Sequence, residues 1–379
     1  MTIELFGALM VAGLAGPILR TPKRYGVPVA VGELSIGAIF GQSGFNTIPI
    51  ADPTLKLLAT VGFALLMFTA GSHIDYRTFT KKAFAIVYKI IIANALVAVA
   101  LGFAMDYIAH FPNWRLLATL SFSSSAAFVI PIIALQKRDL ALEVLIAQVT
   151  VADAVSFIAL PFFTQKHDQL AAFKGSLIVL AAAILIYFLL YGAKKLGFLD
   201  RTHDLSKVEH LGIELRVSLA LLLLVAALAT RFHASVMIAG FALGVALASI
   251  GVPHRLARQL FGVSDGLFAP LYFIWLGASI NIRTTLHSHS ALLLALLLIL
   301  AALAAHAPAL FFKQPLTNIL LASGQLGIPA AAVTLGVANG ILTQAESGAI
   351  MLVALFTLTI PSIFLKTPDV SLTQPPQVK

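Results

Sequence analysis

Apolar runs of about 20 residues recur along this chain from end to end, and each is long enough to cross about 30 Å of hydrocarbon as a helix. Thirteen can be marked, with approximate limits 3–19, 27–44, 54–73, 84–109, 115–135, 142–164, 173–193, 211–230, 233–250, 265–281, 290–311, 316–338 and 344–365. In a bilayer every backbone N–H and C=O has to be bonded inside the protein, so continuous apolar runs of this length resolve as helices. The fold class that follows is an all-α polytopic membrane protein of about 13 transmembrane helices. Composition agrees, because only 11% of the residues are charged and 59% are hydrophobic, whereas a soluble domain carries about 25% charged residues. The longest polar segment, 194–216, is too short to fold alone. The absence of cysteine rules out disulfides and thiolate metal sites. The first run lacks a basic leader and a small-residue cleavage site, so it reads as a retained helix.

The segments between the runs alternate in charge. One side holds Arg20, Lys23, Arg24, Arg77, Lys81, Lys82, Lys137, Arg138, Lys194, Lys195, Arg201, Lys207, Arg216, Arg255, Arg258, Lys313, Lys366 and Lys379. The other holds only Lys56, Arg115, Lys166, Lys174, Arg231 and Arg283. That asymmetry places the N-terminus outside and the C-terminus in the cytoplasm. It also accounts for the net charge of +9 without any nucleic-acid partner.

The two halves of the chain repeat. MFTAGSHIDYRT (67–78) aligns with FIWLGASINIRT (273–284) at an offset of 206, keeping a glycine, an isoleucine and Arg-Thr. RYGVPVAVGELSIG (24–37) aligns with RFHASVMIAGFALG (231–244) at an offset of 207. Residues 67–78 end a span on the basic side and 273–284 end one on the opposite side, so the halves are inverted, as in secondary transporters. The expected organisation is a transmembrane domain over 1–366, with repeats roughly at 24–165 and 231–366, and a disordered cytoplasmic tail at 367–379.

An ionisable side chain at mid-membrane costs about 2.5–3.5 kcal/mol on insertion scales, so few are tolerated without a use. Asp153 lies in the middle of the sixth run, with no Lys or Arg within a turn. It reads as a carboxylate that binds a proton or a cation, against the alternative of a structural acid bonded to a neighbouring helix. Thr150 shares its face one turn earlier, and Gln148 and Ser156 lie close by. Ser123, Ser124 and Ser125, with Pro131 following, suit an unwound crossing segment whose hydroxyls and carbonyls can bind a cation, or simply small-residue packing. Ser323, Gly324, Gln325, Gly327 and Pro329 give the second half a similar interruption. His306 offers a cationic partner or proton carrier for Asp153, or a neutral ring bonded to a carbonyl. Glu33 reads as a structural intramembrane acid. His73, Asp75, Asn281 and Arg283 read as helix caps. No metalloprotease, phosphate-loop or nucleophile-elbow motif is present.

Several segments together resemble the Kef-type monovalent cation/proton antiporters of the sodium/proton exchanger superfamily. They are GVPVAVGELSIGAIFG (26–41), LLMFTAGSHID (65–75), SSSAAFVIP (123–131), VTVADAVSFIALP (149–161) and LYFIWLGASINI (271–282). The resemblance runs from about residue 5 to 366 and rests on order and spacing. It implies an inverted-repeat antiporter fold with crossing broken helices, a core domain that moves against a dimerisation domain, and a homodimer. Cation and proton would compete for Asp153, with Thr150, Ser124 and Ser125 as neighbouring ligands. Three positions depart from the family pattern: Ala152 precedes the aspartate, Gln325 follows Gly324, and His306 stands where a Lys or Arg is common.

The reading is a membrane antiporter of H⁺ against Na⁺ or K⁺, with Asp153 as the metal-ion ligand, no cofactor and no enzymatic activity. A single acid at the site predicts one-for-one exchange. The expected location is the cell membrane, as in a bacterial inner membrane. A same-fold sodium-coupled organic anion symporter, a non-transporting sensor and an intramembrane hydrolase remain as alternatives.

Overall fold

The computed structural model describes residues 1–20, 28–72, 80–133, 136, 139–164, 169–197, 212–232, 234–251 and 254–364. All regular structure among them is helical. The first half forms α1 (Ile3–Gly13), α2 (Ala15–Arg20), α3 (Val29–Phe40), α4 (Pro53–Ser72), α5 (Lys81–Ala109), α6 (Trp114–Phe122), α7 (Ala126–Ile133) and α8 (Leu140–Phe163). After α9 (Gln169–Lys195) come α10 (Ile213–Arg231), α11 (Val236–Ile250), α12 (His254–Val263) and α13 (Ala269–Ser279). The last part holds α14 (Ile282–Leu286), α15 (His289–His306), α16 (Leu316–Ala322), α17 (Gly327–Ala338) and α18 (Gln344–Phe364). Each of the thirteen apolar runs falls on one helix or on two in succession. Among the described residues, eight stretches are long and apolar enough to cross a membrane, accompanied by shorter apolar helices.

Local chemistry sets the helix starts. Thr80, Asn113, Asp139, Ser235, Asn281 and Ser288 each accept a hydrogen bond from an otherwise orphaned amide in the first turn. Asn281, expected as a cap, thus caps α14. Two runs are interrupted as the sequence suggested. Between α6 and α7 the chain turns extended at Ser123 (φ −65°, ψ 152°). Between α16 and α17 residues 323–326 leave the helix, and Pro329 is accommodated because the first turn of α17 has no intrahelical amide to lose.

Three details differ from the sequence reading. The run at 3–19 divides at Leu14 into α1 and α2. Arg255 and Arg258, expected in a loop, lie on α12, which continues through a π-turn at Ser264–Phe268 into α13. After His306 the helix tightens to 3₁₀ over Ala307–Phe312, because Pro308 has no amide to continue the α-ladder. The tail 367–379, His73 and Asp75 lie outside the described residues.

The helices form two groups. α5, α6 and α8 pack with one another, and α15 packs on α5, α6 and α18, while α3 packs on α13 and α4 on α11. The second group is built on close backbone approach. A Cβ on Gly37 would lie 2.3 Å from the Ile274 carbonyl oxygen, and one on Gly244 would lie 2.1 Å from that of Phe68. Gly244 follows Gly37 by the repeat offset, and Phe68 precedes Ile274 by it. Gly277 against Leu34 (2.2 Å) and Gly71 against Phe241 (2.3 Å) form a second such pair. Contacts this close admit only glycine, which explains why glycines survive in both halves. Between the groups runs an apolar seam. Phe157 of α8 lies 4.9 Å from Phe241 of α11 between ring centroids, in one cluster with Phe63, Tyr272 and Ile328.

Candidate functional site

The site is assembled where the two interrupted helices meet α8. Asp153 is 3% exposed. Its Oδ2 accepts a hydrogen bond from the Ala126 amide at 3.1 Å. Ala126 opens α7, so the carboxylate sits on the positive end of a helix that begins inside the protein. Its other oxygen, Oδ1, is buried and has no hydrogen-bond partner, and Asp153 forms no ion pair among the described residues.

The serine-rich segment stands directly against this acid. Ser123 and Ser124 are fully buried and Ser125 nearly so. The Ser124 hydroxyl donates to the Ala322 carbonyl at 2.6 Å, across 198 residues of sequence. That bond joins the break in the first half to the break in the second. Ser123 donates instead to Leu120 O at 2.9 Å, and the Ser125 carbonyl accepts from the Phe128 and Val129 amides. Thr150 is buried one turn before Asp153 on α8. Ser156, one turn after it, is fully buried with an unpartnered hydroxyl.

In the second break, Ser323 donates to Leu320 O at 2.9 Å. The Gln325 amide nitrogen of the backbone donates to the Thr357 hydroxyl of α18 at 3.3 Å. The Gln325 side chain is 1% exposed, and neither its Oε1 nor its Nε2 has a partner among the described residues.

His306 is not joined to Asp153. It is fully buried, and its Nδ1 lies 2.8 Å from the Ala302 carbonyl. A carbonyl only accepts, so Nδ1 carries the proton there. Its Nε2 has no partner, and no hydrogen bond or ion pair links it to the carboxylate. Glu33 is buried on α3 against Gly16, with its Cγ 3.1 Å from where a Cβ on that glycine would sit. Among the described residues no hydrogen bond joins it to the Asp153 cluster.

Several polar residues that brace these helices do not stand out in the sequence. Asn94, buried in the middle of α5, donates to Ala305 O (3.1 Å) and Ile90 O (3.2 Å) and accepts from Gln148 Nε2 (3.3 Å) once its nitrogen is turned to the carbonyls. It ties α5 to α8 and α15. The last carbonyls of α8 are held from two directions, by Asn113 Nδ2 on Phe163 O (2.9 Å) and by Asn339 Nδ2 on Thr164 O (2.7 Å). At the other end Asn318 Nδ2 donates to Ala141 O at 3.2 Å. Asn94 had a signal, because a lone amide in an apolar helix has to find a partner. The others sit at helix ends, where asparagine is common and says little.

Residues 9–368 match the family described as sodium/hydrogen exchanger, transmembrane. A putative Na⁺/H⁺ antiporter of Bacillus subtilis, YjbQ, is 26% identical over 95% of this chain and 61% of its own length. The glutathione-regulated potassium-efflux protein KefC of Shigella sonnei is 27% identical over 75% of this chain and 46% of its own. The chain thus spans about half to three-fifths of these relatives. The solved structure of the sodium proton antiporter MjNhaP1 from Methanocaldococcus jannaschii superposes with a TM-score of 0.65 at 19% identity, covering 96% of this chain and 95% of that one. This is a likeness of fold, and it agrees with the all-helical antiporter fold class that the sequence suggested.

Proposed function

Because the chain belongs to the sodium/hydrogen exchanger transmembrane family, and is therefore a multi-pass membrane protein, we propose that it exchanges protons for a monovalent cation, Na⁺ or K⁺. Asp153 holds each in turn. The observation that carries this reading is the Asp153 carboxylate, enclosed and bonded through one oxygen to a helix start while the other is left open. An anion taken out of water with so little compensation is several kcal/mol uphill. Either a proton or a small cation relieves it, and one carboxylate cannot hold both well, so the two compete.

Thr150, Ser124 and Ser125 supply neutral oxygens around the carboxylate. The bond Ser124–Ala322 ties the two interrupted helices to each other, and Asn113–Phe163, Asn339–Thr164 and Asn318–Ala141 tie them to α8. They support a core that travels as one body against the glycine-packed group, across the apolar seam at Phe157 and Phe241. We assign the repeats to roughly 24–165 and 231–366, the N-terminus to the outside, the C-terminus to the cytoplasm, and the location to the bacterial cell membrane. The glycine-packed group forms the homodimer contact.

His306 lies off the carboxylate, so exchange is one-for-one and carries no net charge. The test is the purified protein in proteoliposomes, with proton flux read by dye quench under gradients of Na⁺, K⁺ and Li⁺ and current read on a solid-supported membrane. Asp153→Asn should fold and lose exchange. Undiminished exchange in that variant ends this reading, and a robust transport current in the unmodified protein ends its one-for-one form.

A further inference from the structure

Among the described residues, Gln325 carries a buried amide with nothing bonded to either end. Burying an amide without partners costs about 1–3 kcal/mol on mutational scales, and native proteins leave few such groups unexplained. Its chain neighbours place the segment that carries it. Three residues before it, Ala322 O receives the Ser124 hydroxyl. Next to it, a Cβ on Gly324 would lie 2.5 Å from the Phe128 ring. Two residues after it, a Cβ on Gly327 would lie 3.3 Å from the Phe157 ring. Ser124 and Phe128 flank Ala126, the residue bonded to Asp153, and Phe157 is one turn beyond Asp153 on α8. The segment bearing Gln325 is therefore pinned on both sides to the immediate neighbours of the acid. Its backbone is fixed by the Thr357 hydroxyl, which leaves only the side chain free to respond to what occupies the site.

We infer that Gln325 is the second-half ligand of the transported cation, its amide oxygen completing the shell that the Asp153 carboxylate begins. This rests on the exchanger reading above and deepens it. The chemistry fits a monovalent ion. An amide oxygen is a neutral, hard ligand suited to an alkali cation, and it adds no second negative charge that would favour a divalent one. An amide does not titrate, so it bears on cation affinity while the proton stays with Asp153 alone. The empty Oδ1 of Asp153 and the empty Oε1 of Gln325 are then the two faces of one site, contributed by opposite halves of the repeat.

The test uses the full chain in proteoliposomes, reading the half-saturating Na⁺ and K⁺ concentrations and the maximal rate separately at alkaline pH. Gln325→Leu keeps the volume and removes the oxygen. It should raise half-saturation about tenfold, the loss of one ligand to a charged group, with the maximal rate largely kept. Gln325→Glu keeps an oxygen at the same reach and should hold half-saturation at or below the unmodified value. Should Gln325→Leu fail to fold by size exclusion, Gln325→Asn, which withdraws the oxygen by one methylene, is read in its place and should also raise it. Unchanged half-saturation in the leucine or asparagine variant overturns the inference, as does an equal rise in the glutamate variant. Absence of cation-driven exchange in the unmodified protein, or its survival in Asp153→Asn, overturns the exchanger reading instead.

Discussion

Two serines of the first crossing segment differ in what their hydroxyls hold, and that difference sets a sharp prediction. Ser121 and Ser124 are both fully buried. Ser121 donates to Leu117 O at 2.8 Å, four residues back on α6, a carbonyl that the helix ladder already engages. Ser124 donates at 2.6 Å to Ala322 O, and no backbone amide bonds that carbonyl among the described residues. Ser121→Ala therefore removes a redundant bond and should change stability by less than about 0.5 kcal/mol. Ser124→Ala leaves a buried acceptor without a partner, which costs about 1–3 kcal/mol, and it unties the two crossing segments at the carboxylate. Equilibrium unfolding in mixed micelles gives both free energies, and dye-quench exchange gives the functional effect. The expected result is a deficit at least about 1 kcal/mol larger for Ser124→Ala, with reduced exchange only in that variant. Equal losses, or a larger loss at Ser121, would refute the claim that this bond couples the halves.

Gly277→Val should push α3 and α13 apart, because its Cβ would meet the Leu34 carbonyl oxygen at 2.2 Å; a loss of about 1–3 kcal/mol is expected. Gly262→Ala, with nothing within 4 Å, should be neutral or mildly stabilising, and melting curves compare the two. Asn339→Ala should free the Thr164 carbonyl and speed amide hydrogen exchange in the last turn of α8, leaving α5 unchanged. Asp52 accepts from the Met1 ammonium at 2.7 Å and from the Leu55 and Thr54 amides, which hold its carboxyl below the ordinary 3.8. A depressed acid contributes stability above its unfolded value and loses it as pH falls through the folded one. Asp52→Asn should accordingly lower stability at neutral pH, where the ionised carboxyl contributes in full, and flatten the acid limb of the stability curve below about pH 4.

Much of this molecule is legible in the order of its residues, because a bilayer leaves an apolar run few choices. The runs, their interruptions at Ser123–Ser125 and Ser323–Gln325, the repeat spacing and the isolated Asp153 all follow from length, hydropathy and the cost of a charge in hydrocarbon. Pairing does not follow. The partner of Asp153 is a backbone amide at Ala126, which carries no side-chain signature. His306 had the right chemistry to be that partner, but its ring bonds to its own helix at Ala302. Ser124 meets Ala322 across 198 residues of sequence, and Asn94 meets Gln148 and Ala305, only because the helices pack at one particular height and rotation. Hydrogen bonds act over about 3 Å, so a shift of one turn would erase each of them while leaving every apolar run as readable as before. Sequence alone decides that this chain crosses the membrane many times with one costly acid in its midst. The tertiary structure decides that the acid sits at a helix start, half satisfied, and that the other interrupted helix carries a buried, unpartnered glutamine.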